Sequence, residues 1–286
     1  MSAVRMDGKA LSAKVRGSIL AETEALKKQG VTPGLAVIIV GNDPASEIYV
    51  RNKERACEQC GFYSEKYALP EETTQEELLG LIAQLNESPA ISGILCQMPV
   101  PKHISEQAVI DAIDPKKDVD AFHPVNVGRL SAGKPVLLPC TPAGIMEMLR
   151  AYEIPVEGRV CTVVGRSNIV GKPIAMMLLR ANGTVISCHS RTPKLAEFTR
   201  QADILVVAAG HRGLITGDMI KPGAAVIDVA MNRDAETGKF TGDVVFDEAV
   251  KRAAYITPVP GGVGPMTRAM LMRNILAAAK QHIYGK

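Results

Sequence analysis

Tryptophan is absent, and rings of any kind are scarce: phenylalanine and tyrosine together make up only 4% of the 286 residues. Lysine and arginine are scattered, the formal charge is only +3, and no aromatic-rich basic face emerges. A nucleic-acid partner therefore has little support, whereas an anionic small ligand suits the same charge. No window approaches the ~18 apolar residues that a spanning helix requires, and residues 1–7 carry no apolar stretch of a signal segment. The expectation is a chain without membrane association and cytoplasmic in location.

Cysteine is sparse, six in all, and sits mostly inside apolar runs such as Ile94-Leu95-Cys96. That is how small buried hydrophobes behave, not a disulfide framework. Cys57-Glu58-Gln59-Cys60 has a paired spacing, but no second pair of Cys or His ligands matches it. It also falls at the end of an expected helix instead of following a strand. Asp118 and Asp120 have no third acidic cluster to complete a ligand set, so no metal is expected there either.

What is present is an ordinary globular composition, 47% hydrophobic and 22% charged. The length, set against about 150 residues per domain, suggests two domains. Apolar spacing predicts helices over 10–28, 45–60 and 75–86, and strands over 35–40, 62–69 and 91–96. Strands alternating with helices imply parallel pairing through crossovers. A proline-rich stretch over 114–142 is too long for an idle connection. The alternation then resumes, with helices over 143–152 and 171–181 and strands over 160–164, 184–188, 204–208 and 224–229. A last helix over 266–281 is expected to cross back onto the first domain. The fold class is thus α/β in two domains: a catalytic domain of residues 1–139 plus 266–286, and a Rossmann-like dinucleotide-binding domain of residues 140–265.

Within the second domain, the strand over 160–164 runs into Gly165-Arg166-Ser167-Asn168-Ile169-Val170-Gly171 and then a helix. Glycine lets the backbone approach a phosphate, and the helix start offers free N–H groups and a favourable dipole. The middle position is Ser167, so the G-x-G-x-x-G pattern is incomplete, and taken alone the turn is equally an ordinary strand–helix connection. The next strand ends in His189-Ser190-Arg191-Thr192, where an NAD site would carry an acid for the ribose hydroxyl. With no acid there, Ser190 and Arg191 together with Arg166 and Ser167 suit a 2′-phosphate, favouring NADP.

In the first domain, Tyr49 and Lys53 lie four apart and share a helix face. A lysine beside a buried sheet and an aromatic ring has its pKa lowered and can act as an acid or base. A surface lysine is the plainer reading of that spacing. Gln97 closes a buried strand at its carboxyl end, where ligands collect in open α/β sheets, although a glutamine there is also ordinary. Of the two carboxylates Asp118 and Asp120, a single one can accept paired N–H bonds from a flat heterocycle. The segment 257–265, rich in glycine and proline, offers open N–H groups to a phosphate or a nicotinamide.

Tyr49-Val50-Arg51-Asn52-Lys53, Gln97-Met98-Pro99-Val100-Pro101, Lys117-Asp118-Val119-Asp120, Gly165 to Pro173, Cys188-His189-Ser190-Arg191-Thr192 and Pro258 to Thr267 occur in this order along nearly the whole chain. Together they closely resemble the bifunctional methylenetetrahydrofolate dehydrogenase/cyclohydrolase family. The resemblance implies NADP-dependent oxidation of 5,10-methylenetetrahydrofolate to the methenyl cation and hydrolysis of that cation to 10-formyltetrahydrofolate. It further implies a homodimer serving one-carbon metabolism and purine biosynthesis. By the same resemblance Lys53 is the acid/base group, bonded to Gln97, while Tyr49 stacks on the folate and Asp120 holds the pterin edge. Pro258, Gly261 and Gly262 would join the substrate site, and Thr141, Ala230 and Met231 would join Gly165, Arg166, Ser167, Ser190 and Arg191 around NADP. The chain departs from the family pattern at Ala121 and at Ala230-Met231, where an added methyl meets positions that favour glycine.

Two other readings are an NADP oxidoreductase of a small acid, which would carry an arginine clamp, and a noncatalytic dinucleotide sensor, which would have no reason to keep the acid/base set.

Overall fold

The structure, a computed structural model, describes residues 2–233 and 238–284. The chain opens with a two-residue strand, β1 (Val4–Arg5), and a long helix, α1 (Gly8–Lys27). β2 (Gly34–Val40), α2 (Pro44–Gln59), β3 (Tyr63–Leu69), α3 (Gln75–Glu87) and β4 (Gly93–Cys96) alternate, followed by α4 (Glu106–Ala112) and α5 (Pro124–Ser131). After α6 (Cys140–Ala151) come β5 (Val160–Val164), α7 (Gly171–Arg180), β6 (Thr184–Cys188), α8 (Leu195–Thr199), β7 (Ile204–Val207) and β8 (Ala225–Asp228). The short strands β9 (Asn232–Arg233) and β10 (Phe240–Thr241), α9 (Phe246–Ala249), β11 (Tyr255–Ile256) and α10 (Val263–Tyr284) complete it.

Two compact units result, Ala13–Cys140 with Arg268–Lys286, and Met1–Ser12 with Thr141–Thr267. In the first, a parallel sheet has the order β3-β2-β4, with Ile38 opposite Cys96. β2 and β4 are buried along their whole length, as continuous apolar runs require. Since β3 and β4 flank β2 on opposite sides, the crossovers diverge at its carboxyl end and leave the crevice in which α/β sheets bind ligands. Helix starts are fixed locally. Asp43 caps α2 by accepting from Ser46 N at 2.8 Å, and Thr74 and Glu77 form a capping box on α3.

The stretch after α4 is drawn against β4. Ile94 N donates to Lys117 O at 2.8 Å, and Ile94 and Asp118 form a parallel bridge. Lys117 is buried, and its ammonium donates to Ser88 O at 2.7 Å and Leu85 O at 3.0 Å, carbonyls at the carboxyl end of α3 where a cation is favoured. A Cβ at Gly93 would meet Val119 Cγ1 at 2.4 Å, so only glycine admits this approach. α10 from Arg268 onward is tied into the same unit, as the order of elements led one to expect: Asn274 Nδ2 donates to Val119 O and Leu138 O, both at 2.7 Å.

In the second unit a six-stranded parallel sheet has the order β1-β11-β8-β7-β5-β6. The strand order reverses between β5 and β7, the switch point of a doubly wound fold. Residues 1–12 lie here, whereas the sequence division grouped them with the catalytic domain. Val4 pairs with Tyr255, and Asp7 N donates to the Tyr152 hydroxyl at 2.6 Å. A two-residue strand carries no period from which that pairing is readable. No helix among the described residues is long and apolar enough to cross a membrane.

Candidate active site

Lys53 projects from the third turn of α2, and Gln97 is the first residue beyond β4, where its backbone N–H extends the ladder to Ile38 O at 2.8 Å. The Lys53 Nζ donates to Gln97 Oε1 at 2.9 Å. Gln97 is fixed in turn, its Nε2 donating to Met98 O at 2.7 Å, so the amide oxygen is the face left for the lysine. Both residues line a cavity of about 150 Å³ together with Cys96, Met98, Asp120 and Phe122. The helix face, the strand end and the proline-rich segment, separate in sequence, thus converge on one amine.

Burial lowers the pKa of Lys53, and the nearby Asp120 carboxylate opposes that shift. Burial raises Asp120 in turn, opposed by the Lys53 charge. The pair therefore holds an amine that is more readily neutral than an ordinary lysine yet still able to carry a proton. The two thiols at the site are no competitors for this chemistry: burial pushes Cys96 up to about 12 and Cys140 well above the usual thiol range.

Asp118, two residues from Asp120, does something different. Its buried carboxylate accepts from Asn126 Nδ2 at 2.9 Å and from His123 N at 2.8 Å, holding the loop into α5. Burial raises its pKa against those bonds. The sequence does not distinguish the two acids, and the structure gives the loop to Asp118 and the lysine to Asp120. Tyr49 lies one turn before Lys53, 41% exposed and not among the cavity residues. Ser46 and Cys57 on the same face are buried. Among the described residues no group of His, Cys, Asp or Glu could hold a metal ion.

In the second unit the turn after β5 is built around two glycines. Gly165 has φ +127°, and a Cβ there would lie 2.2 Å from Ala208 O at the end of β7. A Cβ at Gly171 would lie 2.3 Å from Gly165 O, so the turn closes only with glycine at both ends. Ser167, the residue that breaks the fingerprint, caps the helix: its Oγ accepts from Val170 N at 3.2 Å and Gly171 N at 3.3 Å. β5 and β6 are in register at Val164 and Cys188, so Arg166 and Ser190 both lie two residues beyond adjacent strand ends. The turn carrying Ser190 and Arg191 is fixed by His189, whose N donates to Thr192 Oγ1 at 2.9 Å and whose Nδ1 accepts from Arg191 N at 3.1 Å. Arg166, Ser167, Ser190 and Arg191 are all exposed, and neither arginine has a carboxylate partner among the described residues.

The remaining candidates in this unit differ in availability. Thr141 is half-buried with its hydroxyl bonded to Thr267 Oγ1 at 3.0 Å. Ala230 is half-buried and Met231 exposed, just beyond β8. Pro258 and Gly261 are half-buried, but Gly262 is buried and its N–H is taken by Pro258 O at 2.8 Å. Of the open N–H groups expected in this segment, that of Gly262 is engaged. Its tightness has a packing cause, since a Cβ on Gly8 would lie 1.7 Å from Gly262 O. Asp228, Asp243 and Asn274 were not singled out in the sequence; each is a lone polar residue whose importance comes from distant partners.

The chain's two halves match two family models. Residues 6–120 match the catalytic domain of tetrahydrofolate dehydrogenase/cyclohydrolase, and residues 139–283 match its NAD(P)-binding domain. The bifunctional protein FolD of Acetivibrio thermocellus is 59% identical over 280 residues, 98% of each chain. The crystal structure of the bifunctional enzyme FolD from Campylobacter jejuni superposes with a TM-score of 0.96 at 50% identity, covering 98% of this chain and 100% of that one. The Trypanosoma brucei enzyme, solved with NADP cofactor and inhibitor, gives 0.95 at 42% identity over 99% of both chains. With both domain models matched and relatives similar from end to end, the chain belongs to the tetrahydrofolate dehydrogenase/cyclohydrolase family.

Proposed function

We infer that this chain catalyses two successive reactions on one folate, NADP-dependent oxidation of 5,10-methylenetetrahydrofolate to the 5,10-methenyl cation and hydrolysis of that cation to 10-formyltetrahydrofolate. The observation that carries the reading is the Lys53 amine held at 2.9 Å from Gln97 Oε1 beside Asp120. A cationic substrate disfavours a permanently charged ammonium beside it and calls for a base that can be neutral. A neutral Lys53 donates one N–H to Gln97 and keeps a lone pair. Water adds to the methenyl carbon as that lone pair takes its proton. The ammonium so formed protonates N5 as the C–N5 bond breaks, and the hydroxyl proton leaves to solvent as the formyl C=O forms. Asp120 accepts from the N–H edge of the pterin, and Tyr49 supplies an aromatic surface for the folate.

The turn from Gly165 to Gly171 fits a dinucleotide. Its glycines bring backbone to the switch point, and Arg166, Ser190 and Arg191 stand exposed where a 2′-phosphate needs charge-assisted donors. Thr141, Ala230 and Met231 join these as cofactor residues, and Pro258, Gly261 and Gly262 join the substrate side. When bound, NADP supplies the hydride acceptor of the first reaction. The chain acts in the cytoplasm, where its 10-formyl product feeds purine biosynthesis, without a membrane or nucleic-acid partner. It works as a homodimer: β3 is an edge strand with Tyr63 exposed on it, a row of backbone groups open to a second copy. Light scattering tests the last point, expecting twice the 30.5 kDa chain mass; a monomer at micromolar concentration contradicts it.

Purified protein given 5,10-methylenetetrahydrofolate and NADP should form NADPH and 10-formyltetrahydrofolate together. Absence of NADP reduction sinks the reading.

A further inference from the structure

Two buried acids stand behind the dinucleotide turn, and neither lies in the substrate cavity. Asp228 ends β8, and its Oδ1 accepts from Asp243 N at 3.0 Å while its Oδ2 accepts from Val244 N at 2.9 Å. A Cβ at Gly242 would lie 1.8 Å from Asp228 Oδ2, so glycine is what lets the following segment reach the carboxylate. Asp243, fully buried, passes the linkage on. Its Oδ2 accepts from Ala209 N at 2.8 Å and Gly210 N at 2.9 Å, and its Oδ1 accepts from Asn232 Nδ2 at 2.9 Å. Ala209 and Gly210 sit just beyond β7, and Asn232 opens β9, the strand that follows β8. The residue before Ala209, Ala208, is the one whose carbonyl packs against Gly165.

Burying two carboxylates next to one another is costly, and a sheet needs no such device to hold its strands. What the arrangement does is set the backbone at the exits of β7 and β8, on the same crevice as the Gly165 turn. We propose that Asp243 is a positioning residue for the dinucleotide, gripping the Ala209 and Gly210 amides and Asn232 so that the strand-end platform beside Gly165 keeps the shape that receives NADP. The proposal rests on the reading of that turn as the NADP site.

The chemistry of the donors predicts which substitutions matter. Asp243→Leu leaves the Ala209 and Gly210 N–H groups buried without an acceptor. Asp243→Asn keeps one oxygen for those two amides, and its NH2 can face Asn232 after that side chain turns its amide over. The Leu variant should therefore raise the KM for NADP about tenfold or more, with kcat little changed, while the Asn variant recovers to within about threefold of the parent. Hydrolysis of supplied methenyltetrahydrofolate, which needs no NADP, should stay at the parental rate in both.

The test measures dehydrogenase KM and kcat for NADP, hydrolysis of supplied methenyl substrate, and far-ultraviolet circular dichroism on parent and variants. An NADP KM within about twofold of parent in folded Asp243→Leu overturns the proposal, as does a parallel loss of hydrolysis. Should the Leu variant fail to fold, Asp243→Ser, with one acceptor on a shorter stem, decides in its place: a raised NADP KM supports the proposal and an unchanged one overturns it. A parent that shows no saturation by NADP instead removes the underlying cofactor reading.

Discussion

Lys53 works through the company it keeps. Burial favours its neutral form, and Asp120 restrains that shift, so the two neighbours act on the proton in opposite directions. If the neutral amine is the base, hydrolysis rises with pH, and its midpoint lies below the ordinary lysine range. Removing the opposing charge with Asp120→Asn should move that midpoint lower still. The pH–rate profile on supplied methenyl substrate checks this, and an upward move contradicts it. One residue further on, Ala121 has φ +59° and is buried against Leu137 and Ala278. An L-residue in that region costs on the order of 1–2 kcal/mol, whereas its buried methyl contributes about 0.8 kcal/mol and glycine adds unfolded-chain entropy. These offset, so Ala121→Gly should change stability by less than about 1 kcal/mol, measurable by denaturant unfolding. A loss of several kcal/mol would show that the methyl is irreplaceable.

At the scale of elements, close approaches set the site. Gly165→Ala would drive a Cβ to 2.2 Å from Ala208 O and strain a φ of +127°. NADP affinity should fall by about tenfold or more while hydrolysis of supplied methenyl substrate persists; isothermal titration separates the two, and parental NADP affinity would contradict the placement of the cofactor. The long strands and helices were legible because their periods run over several turns or alternations: β5 and β6 match the expected spans residue for residue. Three of the differences have a cause in proline. The sequence spans start helices after Pro142 and Pro265, but each proline sits inside a first turn, where a missing N–H costs nothing, so α6 begins at Cys140 and α10 at Val263. Pro124 likewise starts α5 within the proline-rich stretch, for which no helix is expected from the sequence.

At the scale of the molecule, what sequence reveals is bounded by how far apart partners lie. Lys53, Gln97 and Asp120 were legible as candidates because each occupies a telling place, a helix face, a strand end, a proline-rich segment. Their meeting follows from the β3-β2-β4 order and from Gly93 admitting Val119, which no local pattern announces. Asp228 and Asp243 were invisible for the same reason. Burial pushes Asp228 up to about 6 against the two backbone bonds it accepts, so the folded chain keeps a proton that the unfolded chain releases near the ordinary carboxylate range. Its contribution to stability is thus full below about pH 4 and lost as pH rises through about 6, worth on the order of 3 kcal/mol. Comparing parent with Asp228→Asn by denaturant unfolding, the parent should lose ground to the variant between pH 4.5 and 7; a difference that does not move with pH contradicts this.

The central claim is that the Lys53 amine, and not the dinucleotide unit, carries the hydrolysis. It is tested most directly by giving supplied 5,10-methenyltetrahydrofolate to parent and to Lys53→Met without NADP, and titrating NADP into both. Lys53→Met should lose hydrolysis by about a hundredfold or more, with NADP binding unchanged. Hydrolysis by Lys53→Met at the parental rate would contradict it.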